Sequence, residues 1–181
     1  MTGRIVVVLI VLSSLIAGAG LYYLQVYHYY APVTVENARL QLTSVATGEP
    51  ETILTEKIEA IDASSSPIRF RACFTTPMSQ AMLSETYELR DDAVPLTAPG
   101  WFECFDADEI GDALADGRAL AFTGQNNIAY GVDRIVAIFD DGRGFVWHQL
   151  NNCGERAYDG SAVGPECPPR ENFQSGKSES N

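Results

Sequence analysis

Four cysteines are the residues of this chain whose chemistry is easiest to assign: Cys73, Cys104, Cys153 and Cys167. An even number of cysteines predicts two disulfides in an oxidising compartment, and four cysteines allow three pairings. Pairing of sequence neighbours, Cys73 with Cys104 and Cys153 with Cys167, is the simplest of the three.

The spacing of the cysteines argues against redox and metal chemistry. The chain contains no C-x-x-C, which disfavours a thioredoxin-like dithiol, and no C-x-x-C-H, which excludes covalent c-type haem. A copper or zinc site could use Cys104, Cys153 and His148, but the chain lacks the closely spaced ligand pairs of known sites. We therefore predict no cofactor and no metal.

A candidate surface site consists of Trp147, His148 and Gln149. His148, near Asp140 or Asp141, is a candidate general base. A single histidine in a strand is more often structural or simply exposed. The chain also has no G-x-S-x-G elbow, no phosphate loop and no H-E-x-x-H motif. We predict no catalytic residue.

Two polar segments are candidates for a small-ligand site: residues 124–127, Gly-Gln-Asn-Asn, and the pair Asn151-Asn152. Because Gly and Asn also form turns, turn formation explains these segments at least as well.

The acidic segment 106–117 has two interpretations. In an EF-hand register starting at Asp106, Ile110 and Gly117 would occupy ligand positions, so a calcium loop is excluded. The same segment predicts a helix with Asp106 as N-cap, Glu109 completing a capping box and Gly117 as the stop.

Among the structural elements, the N-terminal one is the most distinctive. Residues 5–24, IVVVLIVLSSLIAGAGLYYL, are uncharged and mostly apolar. Twenty helical residues span about 30 Å, the hydrocarbon thickness of a bilayer. Five of the eight tyrosines lie between Tyr22 and Tyr30, and tyrosine prefers the membrane–water interface. We predict a transmembrane helix over residues 5–30 with a tyrosine belt at its outer end.

The alternative is a cleaved secretory signal with Ala17-Gly18-Ala19 as the cleavage site. The length of the run and the single basic residue before it, Arg4, favour an uncleaved anchor. Since positive charge is retained in the cytoplasm, residues 1–4 are expected inside and residues from 31 onward outside.

The exported part of the chain is acidic. Eleven of the twelve Lys and Arg residues and all twenty-four Asp and Glu residues lie beyond the apolar run, which gives a net charge of −13. This charge predicts no nucleic-acid partner and a weak repulsion from anionic lipid.

Beyond residue 31 the pattern predicts an α+β fold. Ile68–Phe74 alternates like a half-buried strand with Arg69 and Arg71 on the exposed face. Residues 134–139 and 144–150 predict a hairpin across an Asp-Gly turn. Weaker patterns predict a strand over 33–45, a helix or strand over 53–62, and helical spacing over 77–90. We expect one antiparallel-sheet domain over residues 31–170, with one or two helices and two disulfides, and a disordered tail over 171–181.

Three motifs carry a resemblance to a known family: residues 99–106 (PGWFECFD), 130–134 (YGVDR) and 147–154 (WHQLNNCG). Together with the N-terminal span, they resemble an uncharacterised family of single-span envelope proteins of alphaproteobacteria. The resemblance implies a periplasmic domain anchored in the inner membrane and brings no activity. Similar chains are sometimes labelled histidine kinases. This chain does not support that label, because it contains no phospho-acceptor helix and no ATP-binding domain.

Two functions are consistent with these features. The first is an accessory or assembly factor that contacts an integral membrane protein complex of the inner membrane. Ser14 and Gly18 support it, since small residues four apart let helix backbones approach closely. The second is a periplasmic sensory or ligand-binding module that acts on a separate transmitter.

Overall fold

A computed structural model describes residues 3–38 and 40–173 of the chain. Its helices are α1 (Gly3–Tyr23), α2 (Val35–Ala38), α3 (Gln80–Thr86) and α4 (Ala107–Ala115). Its strands are β1 (Tyr30–Pro32), β2 (Gln41–Thr43), β3 (Pro50–Thr52), β4 (Glu56–Ala63), β5 (Arg71–Thr75), β6 (Ala119–Ala129), β7 (Val132–Phe139) and β8 (Arg143–Leu150). The predicted class, an apolar N-terminal helix followed by an antiparallel-sheet domain with a few helices, is confirmed.

Helix α1 stands outside the domain and buries none of its residues. It continues as a π-helical turn, Leu24–His28, and Gly3–His28 together are long and apolar enough to cross a membrane. We predicted a helix through residue 30, but Tyr30 begins β1, where it pairs with Ala63 of β4. The backbone hydrogen bonds of the sheet edge replace those of a further helical turn.

Among the described residues, six strands form one antiparallel sheet in the order β1-β4-β5-β8-β7-β6. The predicted hairpin is confirmed: β7 pairs with β8 from Ile138 opposite Gly144 to Val132 opposite Leu150. Its turn contains Gly142 with φ 85°, where an added Cβ would lie 2.6 Å from the Thr76 carbonyl oxygen. Only glycine fits that position.

Both faces of the sheet are covered. One face packs under the β2–β3 hairpin and α3, with Leu42, Leu83, Phe122 and Val146 in the core. The other packs under α4 and the preceding loop, with Phe105, Ile110 and Trp147. The prediction of a half-buried strand over residues 68–74 is therefore wrong in one respect. Strand β5 has a second layer over its other face, and Arg71 is only 4% exposed.

Other local predictions have mixed outcomes. Asp106 caps α4 as predicted, by accepting from the backbone N–H groups of Asp108 and Glu109. The Glu109 carboxylate bonds Arg143 instead of completing a capping box. Residues 53–62 contribute mainly to a strand, and 77–90 contain α3. The strand predicted over 33–45 is wrong in its first part, where the single turn α2 forms.

The two disulfides pair as predicted, Cys73 with Cys104 and Cys153 with Cys167. The first ties β5 to the loop before α4, and the second closes an exposed segment after β8. The prediction places the start of the disordered tail too early. Residues 170–173 form a 3-10 helix, and the Phe173 ring contacts Tyr130. The rest of that tail, 174–181, lies outside the described residues.

Candidate functional site

The predicted surface site does not lie at the surface. Trp147 and His148 are 0% and 4% exposed, since β8 is a central strand covered on both faces. Gln149 is half-buried, and its side-chain amide donates to the Asp92 carbonyl while its oxygen accepts from the Val94 backbone N–H. Gln149 therefore holds the loop after residue 91 against the sheet, and the surface-site prediction is corrected.

Both ring nitrogens of His148 are occupied. Nδ1 lies 2.6 Å from the Pro67 carbonyl oxygen, which can only accept, so Nδ1 carries the proton. Nε2 accepts from Nε of Arg134 at 3.1 Å. Burial, followed by the nearby charge of Arg134, lowers the pKa of His148 to about 3. With both nitrogens bonded and the ring buried, His148 holds the Pro67 carbonyl and Arg134 in place within the domain.

A second feature is a cavity of about 530 Å³ where the N-terminal helix meets the domain. We call it the helix-proximal pocket. It is lined by Gln25, Val26, Tyr30, Ser66, Ile68, Arg69, Arg71 and residues 96–99. No motif predicted it, because its walls come from three separated parts of the chain, 25–30, 66–71 and 96–99.

Arg71 forms the fixed inner wall of this pocket. Its guanidinium donates to the carbonyl oxygens of Leu96, Thr97, Ile68 and Phe70 at 2.6 to 3.2 Å. Burial lowers the pKa of Arg71 to about 10, so the group remains cationic at neutral pH. Among the described residues it makes no ion pair, and backbone carbonyls alone satisfy its N–H groups.

Arg69 and Trp101 connect the domain to the end of the helix. Arg69 donates to the Gln25 carbonyl oxygen and lies over the Tyr30 ring. Trp101 Nε1 donates to the Val26 carbonyl oxygen at 2.8 Å, and its ring stacks on Tyr27. Part of the predicted tyrosine belt thus packs on the domain, and the helix enters it without a flexible linker.

A third feature brings the two asparagine segments together. Asn126, Asn127, Asn151 and Asn152 line one cavity of about 310 Å³, together with Arg90 and Asp133. We call it the asparagine pocket. Its centre is Asp133, which accepts from the Asn127 backbone N–H at 2.8 Å, from Asn151 Nδ2 at 2.6 Å and from Arg90 at 3.0 Å.

The side chains of the asparagine pocket are mostly committed to one another. Asn151 Nδ2 also donates to the Asn127 side-chain oxygen, and the Asn151 oxygen accepts from the Cys153 N–H. Asn127 has φ 49°, a left-handed conformation that asparagine tolerates. Turn formation and pocket lining therefore coexist here. The network holds the segment after β8 against the sheet.

The remaining predicted site residues fall into two groups. Cys104 and Cys153 are bound in separate disulfides, so they cannot form the thiolate metal site considered with His148. Ser14 and Gly18 lie on the exposed helix, where Ser14 Oγ donates to the Val11 carbonyl and an added Cβ on Gly18 would meet nothing within 4 Å. Their role in helix packing stays a prediction.

The sequence analysis did not identify two buried ionic residues, Arg71 and Asp133, or the half-buried Arg90. A usable signal was present for Asp133. Asp133 is the second residue of strand β7, VDRIVAIF, which carries apolar residues on both faces. A charge in a strand with apolar residues on both faces indicates a buried, bonded group.

Comparison with known proteins adds a family and no activity. No curated protein and no solved structure matches the chain. The sequence model of a family of unknown function, DUF6446, matches residues 40–168, which include both disulfides, Arg69, Arg71 and the asparagine pocket. Because this match covers most of the chain, the protein belongs to the DUF6446 family.

Proposed function

We propose that this protein is a single-span accessory or assembly factor of the bacterial inner membrane. Helix α1 anchors it, residues 1–4 lie in the cytoplasm, and the domain stands in the periplasm against an integral membrane protein complex. The observation that carries the proposal is the rigid junction between helix and domain.

The junction determines how the domain is presented. β1 pairs with β4 only two residues after the π-helical turn, and the bonds from Trp101 and Arg69 hold the helix end. A domain attached in this way has one height and one orientation above a bilayer. Such a fixed presentation suits a protein that contacts a neighbour in the same membrane.

Compartment and partner follow from other features. Two disulfides support an oxidising compartment, and Arg4 before the span supports a cytoplasmic N-terminus. All sides of α1 are free within the described structure. Ser14 and Gly18 offer a surface against which another helix can pack closely.

A mild-detergent pull-down from native membranes tests this function, with mass spectrometry of the eluate. The wild-type chain should bring down a stoichiometric integral membrane complex, and Gly18→Leu should weaken that association. Gly20→Leu is the matched control, because at about 100° per residue it lies on nearly the opposite side of the helix. A wild-type chain that elutes alone, or equal effects of both variants, would contradict the proposal.

The second candidate is a periplasmic ligand-binding module. The asparagine pocket favours it, because four asparagines and an ion pair with a buried carboxylate line one cavity. This function requires saturable binding of a polar small molecule. A screen of the full chain for ligand-dependent rises in melting temperature separates it from the accessory role.

A further inference from the structure

We propose that the helix-proximal pocket binds a phosphate group, with Arg69 as the hydrogen-bond donor and the charge of Arg71 as the fixed counter-charge. The phosphate belongs to a phospholipid headgroup or is free in solution. The lipid source rests on the proposed membrane anchoring. The chemistry of the pocket itself does not depend on it.

The charge of this pocket is opposite to that of the chain. The chain has 24 Asp and Glu against 12 Lys and Arg, yet the described residues that line the pocket include two arginines and no acid. Asp62 acts on Arg71 through its charge, but the two make no ion pair in the described structure. A cavity with two cations and no carboxylate in its wall attracts an anion.

Arg71 is held ready for such an anion. Four bonds to backbone carbonyls hold its guanidinium in place before any ligand arrives. Carbonyl oxygens satisfy hydrogen bonds but do not neutralise a charge, and a buried charge is costly unless it is compensated. An anion in the pocket would supply the missing compensation.

Arg69 supplies the donor side of the site. It is half-buried at the pocket wall, and one of its terminal nitrogens bonds Gln25. The planar guanidinium has five donors, so further N–H groups can bind an oxyanion. Arginine matches phosphate in a bidentate geometry. Ser66 and Thr97, which both carry a hydroxyl group, also line the pocket.

The position of the pocket favours a lipid headgroup as the source. Gln25 and Val26 in its wall lie in the π-helical turn that continues the 21 residues of α1. A length of about 30 Å for α1 brings them to the level of the headgroups. The volume of about 530 Å³ accommodates a headgroup. A local cationic site then overrides the weak repulsion between an acidic domain and anionic lipid.

Native mass spectrometry of the full chain in mild detergent tests this inference. Phosphatidylglycerol and a galactosyl diacylglycerol, which has the same acyl chains but no phosphate, are offered at equal concentration, and the retained lipids are counted. The wild type should retain one phosphatidylglycerol in preference. Arg69→Gln should weaken that retention about tenfold, the effect of losing one charge-assisted bond. Arg118→Gln should leave it unchanged, since Arg118 is an exposed arginine outside the pocket that bonds Asp116.

The free source is tested by the melting temperature in inorganic phosphate against chloride at equal ionic strength. A phosphate-specific rise that Arg69→Gln abolishes, with equal retention of both lipids, supports the site and assigns it to free phosphate. The inference is overturned if the wild-type chain retains both lipids equally and phosphate does not raise its melting temperature. This outcome can be read from the wild-type chain without any variant. Equal losses in Arg69→Gln and Arg118→Gln also overturn it.

Membrane fractionation separates this inference from the proposed function. A chain found in the soluble fraction would contradict the anchored accessory role, while the phosphate arm would still decide the pocket. A membrane-bound chain that shows no lipid preference and no rise in melting temperature with phosphate would overturn the phosphate-binding inference and leave the accessory role untouched.

Discussion

Arg90 binds two carboxylates in different surroundings, and the difference decides their energetic weight. It bonds Asp133, whose side chain is 4% exposed, and Asp92, whose side chain is 68% exposed. A buried carboxylate that loses its charge leaves a partner charge uncompensated. An exposed one is readily replaced by water.

Replacing Asp133 should therefore destabilise the domain strongly. Asp133→Asn should lower the free energy of unfolding by about 3 kcal/mol, because Arg90 loses its buried counter-charge. Asp92→Asn removes a charge from the same arginine at the surface and should cost less than about 1 kcal/mol. Urea unfolding of both variants measures the difference. Equal costs would show that Asp133 is not the centre of the network.

His148 should make stability depend on pH. Burial holds its folded pKa at about 3, against an ordinary value of 6.5. Between these values the unfolded chain binds a proton that the folded chain does not. The free energy of unfolding should therefore fall as the pH falls from 6.5 towards 3, by at most about 1.4 kcal/mol per pH unit.

The variant His148→Gln isolates this contribution. It removes the titrating group, so its unfolding free energy should change less steeply than that of the wild type over the same pH range. Carboxylates titrate in both proteins and cancel in the comparison. Parallel pH curves would show that His148 is protonated in the folded state.

At the scale of elements, the central pairing of β5 with β8 depends on a close approach. Gly144 lies opposite Phe74, and an added Cβ would lie 2.2 Å from the Cζ atom of that ring. Phe74 is itself buried in the core. The absence of a side chain at residue 144 is therefore what allows the two central strands to pack.

Gly144→Ala should destabilise the domain by about 1–3 kcal/mol, because the Phe74 ring must leave its place in a packed core. Gly111→Ala is the matched control. It lies within α4 with nothing within 4 Å of an added Cβ, and it should stabilise by about 0.5–1 kcal/mol through the helical preference of alanine. Thermal unfolding distinguishes the opposite signs. Destabilisation by both changes would contradict this assignment.

Local elements were predictable where neighbouring residues decide the structure. The β7–β8 hairpin follows from its turn residues, α4 follows from Asp106, and the disulfides join sequence neighbours. The burial of Arg71 and His148 was not predictable, because alternation along a strand defines two faces without showing whether a second layer covers each. The β2–β3 hairpin and α3 cover one face, and α4 covers the other.

At the scale of the whole molecule, the junction between helix and domain is the feature that links structure to the proposed function. A four-residue Gly-Ser insertion after Tyr29 should release the helix end from Trp101 and Arg69 and leave the sheet intact. Co-purification of the membrane complex should fall severalfold, because a flexible link removes the fixed orientation.

The same insertion after Gly160 is the control for that experiment. Gly160 lies in an exposed turn where an added Cβ would meet nothing within 4 Å, so both co-purification and melting temperature should stay close to wild type. Retention of the complex by both insertion variants would show that orientation of the domain is irrelevant to the contact.

The amino-acid sequence by itself determined a helix long and apolar enough to span a membrane, an acidic domain and the residues of two disulfides. Length, charge and spacing are properties of short stretches, so they can be assigned without the fold. Only the tertiary structure decided which polar groups are buried and which meet. Arg69 reaches Gln25 across 44 residues and Trp101 reaches Val26 across 75. Such contacts depend on the packing of all layers together, and no local pattern encodes them.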